Sequence, residues 1–227
     1  TGCRNTGIGM YALYTNSTGC FNTASGYKAL YSNTTGKSNV SMGYVAMHSN
    51  TTGCRNTALG AYNMYYNSTG CRNTASGYNA MNANTDGCSN TTGDDNTGVG
   101  RDALDANTTG CNNTAVGSSA LGANTTGSYS TAVGRQALYA NTTGNNQAFG
   151  TYSLLCNTTG SLNNAFGYTA LECNTTGCNN TAIGHTSLNK NTTGKHNTAL
   201  GACALLSNTT GCRNVGLGES SLNTNTD

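Results

Sequence analysis

One feature limits what this chain can fold into more than any other: a [T/S]-T-G corner that returns every 17 residues along the whole sequence. Its Gly falls at Gly2, Gly19, Gly36, Gly53, Gly70, Gly93, Gly110, Gly127, Gly144, Gly160, Gly177, Gly194 and Gly211. Two steps differ from 17. Gly144 to Gly160 is 16, and Gly70 to Gly93 is 23, the six extra residues being the partial copy GCSNTT at 87–92. The consensus unit reads G-C-R-N-T-A-[LVI]-G-x-x-A-L-x-x-N-T-T. Thirteen copies fill residues 1–227 and read as a single repeat domain.

A unit with one Leu and one aliphatic residue cannot bury a core alone, but stacked units place each column on itself and make the core continuous. The Leu column runs Leu13, Leu30, Met47, Met64, Met81, Leu104 and on to Leu222. A second apolar column runs Ile8, Met42, Leu59, Val99, Val116, Val133, Phe149, Phe166, Ile183, Leu200 and Leu217, with Ser25 and Ser76 as lapses. Short N-T-A-[VIL] segments bounded by Gly read as strand and corner, and helices of ten or more residues do not fit between the glycines. The spacing therefore predicts an all-β chain, a parallel β-solenoid of thirteen coils of about 17 residues, whose narrow core suits lateral association. At about 4.8 Å per coil, it would form a rod about 60 Å long. Both apolar columns are expected in the core. The small-residue column between them and the Asn (Gly7, Ala24, Ser41, Ala58, Ala75) is expected to be the seam for a neighbouring chain. The chain starts at Thr1-Gly2 and ends at Asn225-Thr226-Asp227, inside the same corner and without a divergent capping repeat. The expectation is a section of a longer array, or subunits stacked end to end.

Composition narrows the function classes. Gly, Thr and Asn number 31, 39 and 35, together 105 of 227 residues, and charged residues are 8%. That is far below the roughly one-quarter charge of ordinary soluble domains and excludes a conventional enzyme with a thick Leu/Ile/Phe core. A net charge of +2 is too weak to draw nucleic acid or a membrane surface electrostatically. No apolar run approaches the roughly 18 residues of a membrane span, and no signal-peptide pattern opens the chain.

The blocks NTAVG, NTALG and NTAIG, followed by xxAL and NTTG, resemble the head repeats of trimeric autotransporter adhesins. They are also similar to the NTTG-type repeats of phage and giant-virus fibre proteins. Thr131-Ala132-Val133-Gly134 and Thr181-Ala182-Ile183-Gly184 stand where that family carries S-V-A-I-G. The resemblance implies a left-handed β-roll that trimerises, forming a shaft or head segment on a cell or virion surface.

The residues able to carry chemistry are few. Eight of the 11 Cys share the column after the repeat Gly: Cys3, Cys20, Cys54, Cys71, Cys88, Cys111, Cys178 and Cys212. Stacking places Cys3 over Cys20, Cys54 over Cys71 and Cys156 over Cys173. At one strand spacing these are candidates for coil-to-coil disulfides, and equally for plain small residues in a column that also admits Ser, Lys and Asn. No C-x-x-C or Cys/His spacing suggests a metal. Five of the eight acidic residues, Asp86, Asp94, Asp95, Asp102 and Asp105, bracket the insert and offer hard oxygen ligands for Ca²⁺, the one cofactor weighed, or simply a solvated bulge. Fifteen N-x-[S/T] sequons include Asn16, Asn33, Asn50, Asn67 and Asn107, candidates for glycosylation. Most are also the invariant corner Asn, whose structural role explains the motif by itself. The 13 Tyr are concentrated in the first five coils and suit carbohydrate or protein contact, or a subunit seam. His48, His185 and His196 occupy different repeat positions without a carboxylate at catalytic spacing, and no catalytic fingerprint occurs.

The leading expectation is a non-enzymatic, extracellular or surface-borne structural or adhesive fibre whose main partner is itself, with surface glycans as a further partner. Neither nucleic acid nor membrane insertion is expected. The alternatives are an ice-binding (antifreeze) β-solenoid and a carbohydrate-binding receptor segment of a phage or virus fibre. The adjacent Thr pairs (Thr34-Thr35, Thr51-Thr52) weigh against ice binding, because neighbouring side chains on an extended segment point opposite ways.

Overall fold

A computed structural model describes residues 2–82 and 93–225. These residues are all-β, with no helix among them. They fall into two compact units, Thr1–Asn113 and Thr114–Asp227, each a parallel β-solenoid. The first holds β1 (Thr6–Ile8), β2 (Thr23–Ser25), β3 (Val40–Met42), β4 (Thr57–Leu59), β5 (Thr74–Ser76) and β6 (Thr97–Val99). The second holds β7 (Thr114–Val116), β8 (Thr131–Val133), β9 (Gln147–Phe149), β10 (Asn164–Phe166), β11 (Thr181–Ile183), β12 (Thr198–Leu200) and β13 (Val215–Leu217). Within each unit every strand pairs in parallel with the next, so like repeat positions meet: Thr57↔Thr74 in the first, Ile183↔Leu200 in the second.

The irregular steps leave this register intact. β5 pairs with β6 at Thr74↔Thr97, across the 23-residue step; the insert, residues 87–92, lies outside the described residues. β8 pairs with β9 at Thr131↔Gln147, across the 16-residue step. The residue omitted there is a corner one. In other coils the corner carries a left-handed residue, as at Tyr129 (φ 61°) and Leu162 (φ 61°), and the coil beginning at Gly144 has none.

Three-residue strands alternate their side chains, and here the alternation corrects the expected core. The middle residue points in: Ala24, Ala58, Ala75, Ala115, Ala132, Ala148, Ala165, Ala182 and Ala199 have no solvent exposure. The flanking Thr and the aliphatic residue point out. Ile8 is 63% exposed, Leu59 40%, Ile183 41% and Leu217 65%. The second apolar column therefore lies on the surface, and the small-residue column is core, not seam. The reason is interior width. A Cβ on Gly7 would lie 3.7 Å from Leu13 Cδ1, and one on Gly216 only 3.1 Å from Leu205 Cγ. The wall opposite the strand supplies Leu and Ala, and only Ala, Ser or Gly fits between.

Two asparagine columns form the rest of the interior. At the corner, Asn33 Nδ2 donates to Asn16 Oδ1 (2.8 Å) and Asn50 Nδ2 to Asn33 Oδ1 (2.8 Å). In the second unit the same ladder runs from Asn124 to Asn208. The Asn before the strand accepts the backbone N–H of its successor, as Asn39 N to Asn22 Oδ1 (3.0 Å), and donates to a Gly carbonyl, as Asn39 Nδ2 to Gly53 O (2.8 Å); before β8, Ser130 takes this place, donating to Gly144 O (2.9 Å) and accepting from Asn146 N (3.2 Å). Buried amides are thus paired along the stack. The repeat Gly is required by this packing: a Cβ on Gly177 would sit 2.3 Å from Asn174 Oδ1 and 2.5 Å from Gly194 O. The second Gly is required by its backbone, at φ near +135° in Gly184.

Candidate functional site

The outward strand face is the most regular surface of each unit. In the second, Val116, Val133, Phe149, Phe166, Ile183, Leu200 and Leu217 succeed one another coil by coil. Beside them run Thr114, Thr131, Gln147, Asn164, Thr181, Thr198 and Val215. No charge interrupts either column. Phe149 and Phe166 stack with ring centres 4.7 Å apart and planes within 4°. The corner residues Tyr129 and Leu162, 63% and 58% exposed, widen the apolar strip. In the first unit the same face carries Ile8, Met42, Leu59 and Val99, interrupted by Ser25 and Ser76. The residue spacing alone placed these side chains inside. The signal that identifies them as outward is the middle residue, which is never larger than Ala or Ser, whereas the aliphatic column ranges from Ser to Phe.

The acidic candidates separate into two groups, with Asp86 outside the described residues. Asp94 and Asp95 face Arg72: Nε to Asp95 Oδ1 is 2.6 Å, and Nη2 reaches Asp95 Oδ2 at 3.0 Å and Asp94 Oδ2 at 3.3 Å. The hydrogen bond from Arg72 holds the Asp95 carboxyl below its usual range. Asp94 Oδ1 also accepts Cys71 N at 2.7 Å. Asp102 and Asp105 share the Asn79 amide, 3.1 and 3.0 Å from Nδ2. Burial, and then the charge of Asp102, push the Asp105 carboxyl up to about 6. Among the described residues no cluster of three or more His, Cys, Asp or Glu is placed to hold a metal ion.

All ten described cysteines are free thiols, Cys54, Cys71, Cys156 and Cys173 among them. Cys88 lies outside the described residues. Burial raises the Cys71, Cys156 and Cys173 thiols. The proposed glycan acceptors are the corner ladder itself. Asn33 and Asn50 are fully buried, Asn67 and Asn107 nearly so, and the Asn16 amide nitrogen donates to Gly19 O at 3.0 Å. A glycan on any of these nitrogens would displace a core hydrogen bond of the folded coil.

The tyrosines of the first unit form a ring ladder. Tyr14, Tyr31, His48 and Tyr65 stack at 5.2, 5.1 and 4.9 Å with planes within 7°. Their faces are covered by one another, leaving edges and hydroxyls outward. His48 is held below its usual pKa, first by burial and then by Lys28. Among the described residues no helix is long and apolar enough to cross a membrane. No protein family, curated protein or solved structure matches the chain.

Proposed function

We propose that this chain is a non-enzymatic structural protein of an extracellular or surface fibre, and that its outward Thr–aliphatic strand face docks on a second copy of itself. The observation that carries this reading is the unbroken apolar column of the second unit, exposed on a fold whose own core is Ala, Leu and Asn. Burying what remains exposed of each such side chain is worth about 1 kcal/mol, so a column of them is enough to drive association. A like partner fits best because only a solenoid of the same rise meets every row in register, and an uncharged face offers nothing to attract an ionic ligand. Light scattering across a concentration series tests the reading. The expected result is a closed oligomer or growing polymer whose mass is unchanged by reductant, since the contact is apolar. A monomer at every concentration would overturn it.

A second reading, ice binding, is favoured by one observation: each strand also presents a Thr (or Gln, Asn or Val) outward beside the aliphatic residue, a two-column array on a parallel sheet. The adjacent Thr pairs do not provide this surface, because their first hydroxyl is already engaged, as Thr34 Oγ1 donating to Thr51 O at 3.1 Å. Thermal hysteresis that disappears in Thr181→Tyr would support the ice reading; its absence in the wild type would remove it.

A further inference from the structure

The cysteine column has a common pattern. Each thiol donates to the carbonyl two residues before it, as Cys54 to Thr52 O (3.2 Å), Cys71 to Thr69 O (3.4 Å) and Cys178 to Thr176 O (3.3 Å). Each sulfur also accepts a backbone N–H from the preceding coil, as Cys54 N to Cys71 Sγ (3.2 Å) and Lys195 N to Cys212 Sγ (3.3 Å). Cys3 departs from it. Its thiol donates to the sulfur of Cys20 at 2.9 Å, while its backbone N–H reaches the same sulfur at 3.2 Å. Cys20 Sγ thus receives two hydrogen bonds from one residue, while its own thiol donates to Thr18 O at 3.4 Å as the rest of the column does. Lys37 occupies the next place in the column and adds positive charge. The two bonds from Cys3 and the charge of Lys37 favour the thiolate of Cys20, first through the Cys3 thiol, and keep the proton on Cys3. The pair lies at the surface, with Cys3 exposed and Cys20 partly so.

We propose that Cys3 and Cys20 form a peroxide-sensitive thiol pair, Cys20 the nucleophile and Cys3 the resolving thiol, whose disulfide ties the first two coils together. The Cys20 thiolate attacks one oxygen of hydrogen peroxide. An S–O bond forms, the O–O bond breaks and hydroxide leaves, so sulfur loses two electrons to the peroxide and becomes a sulfenic acid. Cys3 then gives up its proton and its sulfur attacks the Cys20 sulfur. The S–S bond forms as the S–O bond breaks, and the departing hydroxide takes the Cys3 proton to leave as water. In-register parallel strands hold the two Cα atoms about 4.8 Å apart, inside the range a disulfide spans. The Cys54–Cys71 pair shares the spacing but sends both thiols to carbonyls, and Cys71 is further disfavoured as a thiolate by its burial.

Trypsin separates these sites cleanly. Cys3 falls in residues 1–4, Cys20 in 5–28, Cys54 in 38–55 and Cys71 in 56–72. The fully reduced protein is dosed with hydrogen peroxide, quenched by alkylation and mapped by mass spectrometry without reduction. The expected result is a link between 1–4 and 5–28 that forms on the order of tenfold faster than any link between 38–55 and 56–72. In Cys3→Ser, dimedone should label Cys20; in Cys20→Ser, Cys3 should stay unlabelled. Both substitutions suit the column, which carries Ser at Ser161. Equal or faster linkage of Cys54 to Cys71, dimedone on Cys3 in the Cys20→Ser variant, or peroxide consumed without a 1–4 to 5–28 link would overturn the assignment.

Discussion

At the scale of the residue, the unusual feature is how often the backbone is left-handed without glycine. Nearly every coil places three non-glycine residues at φ near +50° to +60°: one before the Asn of the strand, one two places after the second Gly, and the Leu itself, as at Leu30 and Leu188. Each such residue costs about 1 kcal/mol relative to glycine. The coil-to-coil hydrogen bonds hold them there, Leu30 N donating to Ala46 O and Leu188 N to Ala204 O, both at 3.0 Å. Where the side chain does no packing, relieving this strain should stabilise the fold. Gln136, at φ 54°, is held through its backbone, its N–H donating to Ser118 O (2.9 Å) and its carbonyl accepting from Tyr139 N (3.3 Å). Gln136→Gly should raise the stability in urea by about 0.5–1 kcal/mol, the reverse of what glycine does within a strand or helix. A loss would show that the side chain contributes to packing. Asp105 makes a second prediction at this scale. Its folded pKa of about 6 lies above the usual 3.8, so between these values the folded chain holds a proton that the unfolded chain gives up. Its contribution to stability is greatest at acid pH and is lost as pH rises through 6. The Asp95–Arg72 pair acts oppositely, because its lowered carboxyl weakens the fold only as pH falls below the ordinary carboxylate range. His48, held below its usual value, acts the other way near neutral pH, so the Asp105 contribution is read as a difference: between pH 4 and pH 6 the Tm of wild type should fall relative to that of Asp105→Asn, and a difference that does not change with pH would contradict it.

At the scale of the element, the amide ladder matters as much as the strands. Asn174 is fully buried; its Nδ2 donates to Asn157 Oδ1 (2.7 Å) and Gly177 O (3.0 Å), and its Oδ1 accepts from Asn191 (2.7 Å). Asn174→Ala would remove three buried hydrogen bonds and take the donor from Asn157 Oδ1, while Gly177 O keeps Asn163 Nδ2 (2.8 Å) and Asn191 Nδ2 keeps Gly194 O (3.2 Å); a loss of about 1–3 kcal/mol is expected in chemical denaturation. A neutral result would show that water or a shifted corner replaces the amide. The coil, its 17-residue period and the corner role of the Asn are all legible in the sequence, because a repeated position imposes its environment on itself. Which strand face is buried was not legible from hydrophobicity. T-A-V and T-A-I place the larger aliphatic residue outside because the inner slot beside Leu admits only a methyl group, and this steric rule outweighs the greater apolar area of Val or Ile. Nor did the sequence mark the left-handed corners, since Tyr11, Val45 and Met47 adopt them through coil-to-coil bonding and not by residue preference. The sequon reading failed to separate chemistry from architecture for a related reason: N-T-T serves equally as a glycan acceptor and as a buried corner.

At the scale of the whole molecule, each unit pairs its corner and pre-strand asparagines along the stack and buries the Leu column of its inner coils, yet leaves an aliphatic column outward. The same strands bury Ala and expose Ile, Phe and Leu, and on the proposed reading the partner for that face is a copy of equal rise, which meets every row. Among the described residues, Cys20, Cys54 and Cys71 make thiol–carbonyl contacts, Asp94 and Asp95 pair with Arg72, Asp102 and Asp105 share the Asn79 amide, and the corner asparagines form the amide ladder. The outward strand face is the surface that the proposal assigns to that copy. Sedimentation velocity on the wild type beside Phe166→Lys/Ile183→Lys tests this most directly. Both positions point outward on β10 and β11, so circular dichroism and the unfolding midpoint should stay close to wild type. The expected result is an oligomeric wild type and a monomeric double variant. An unchanged oligomer in the folded variant would contradict the central claim.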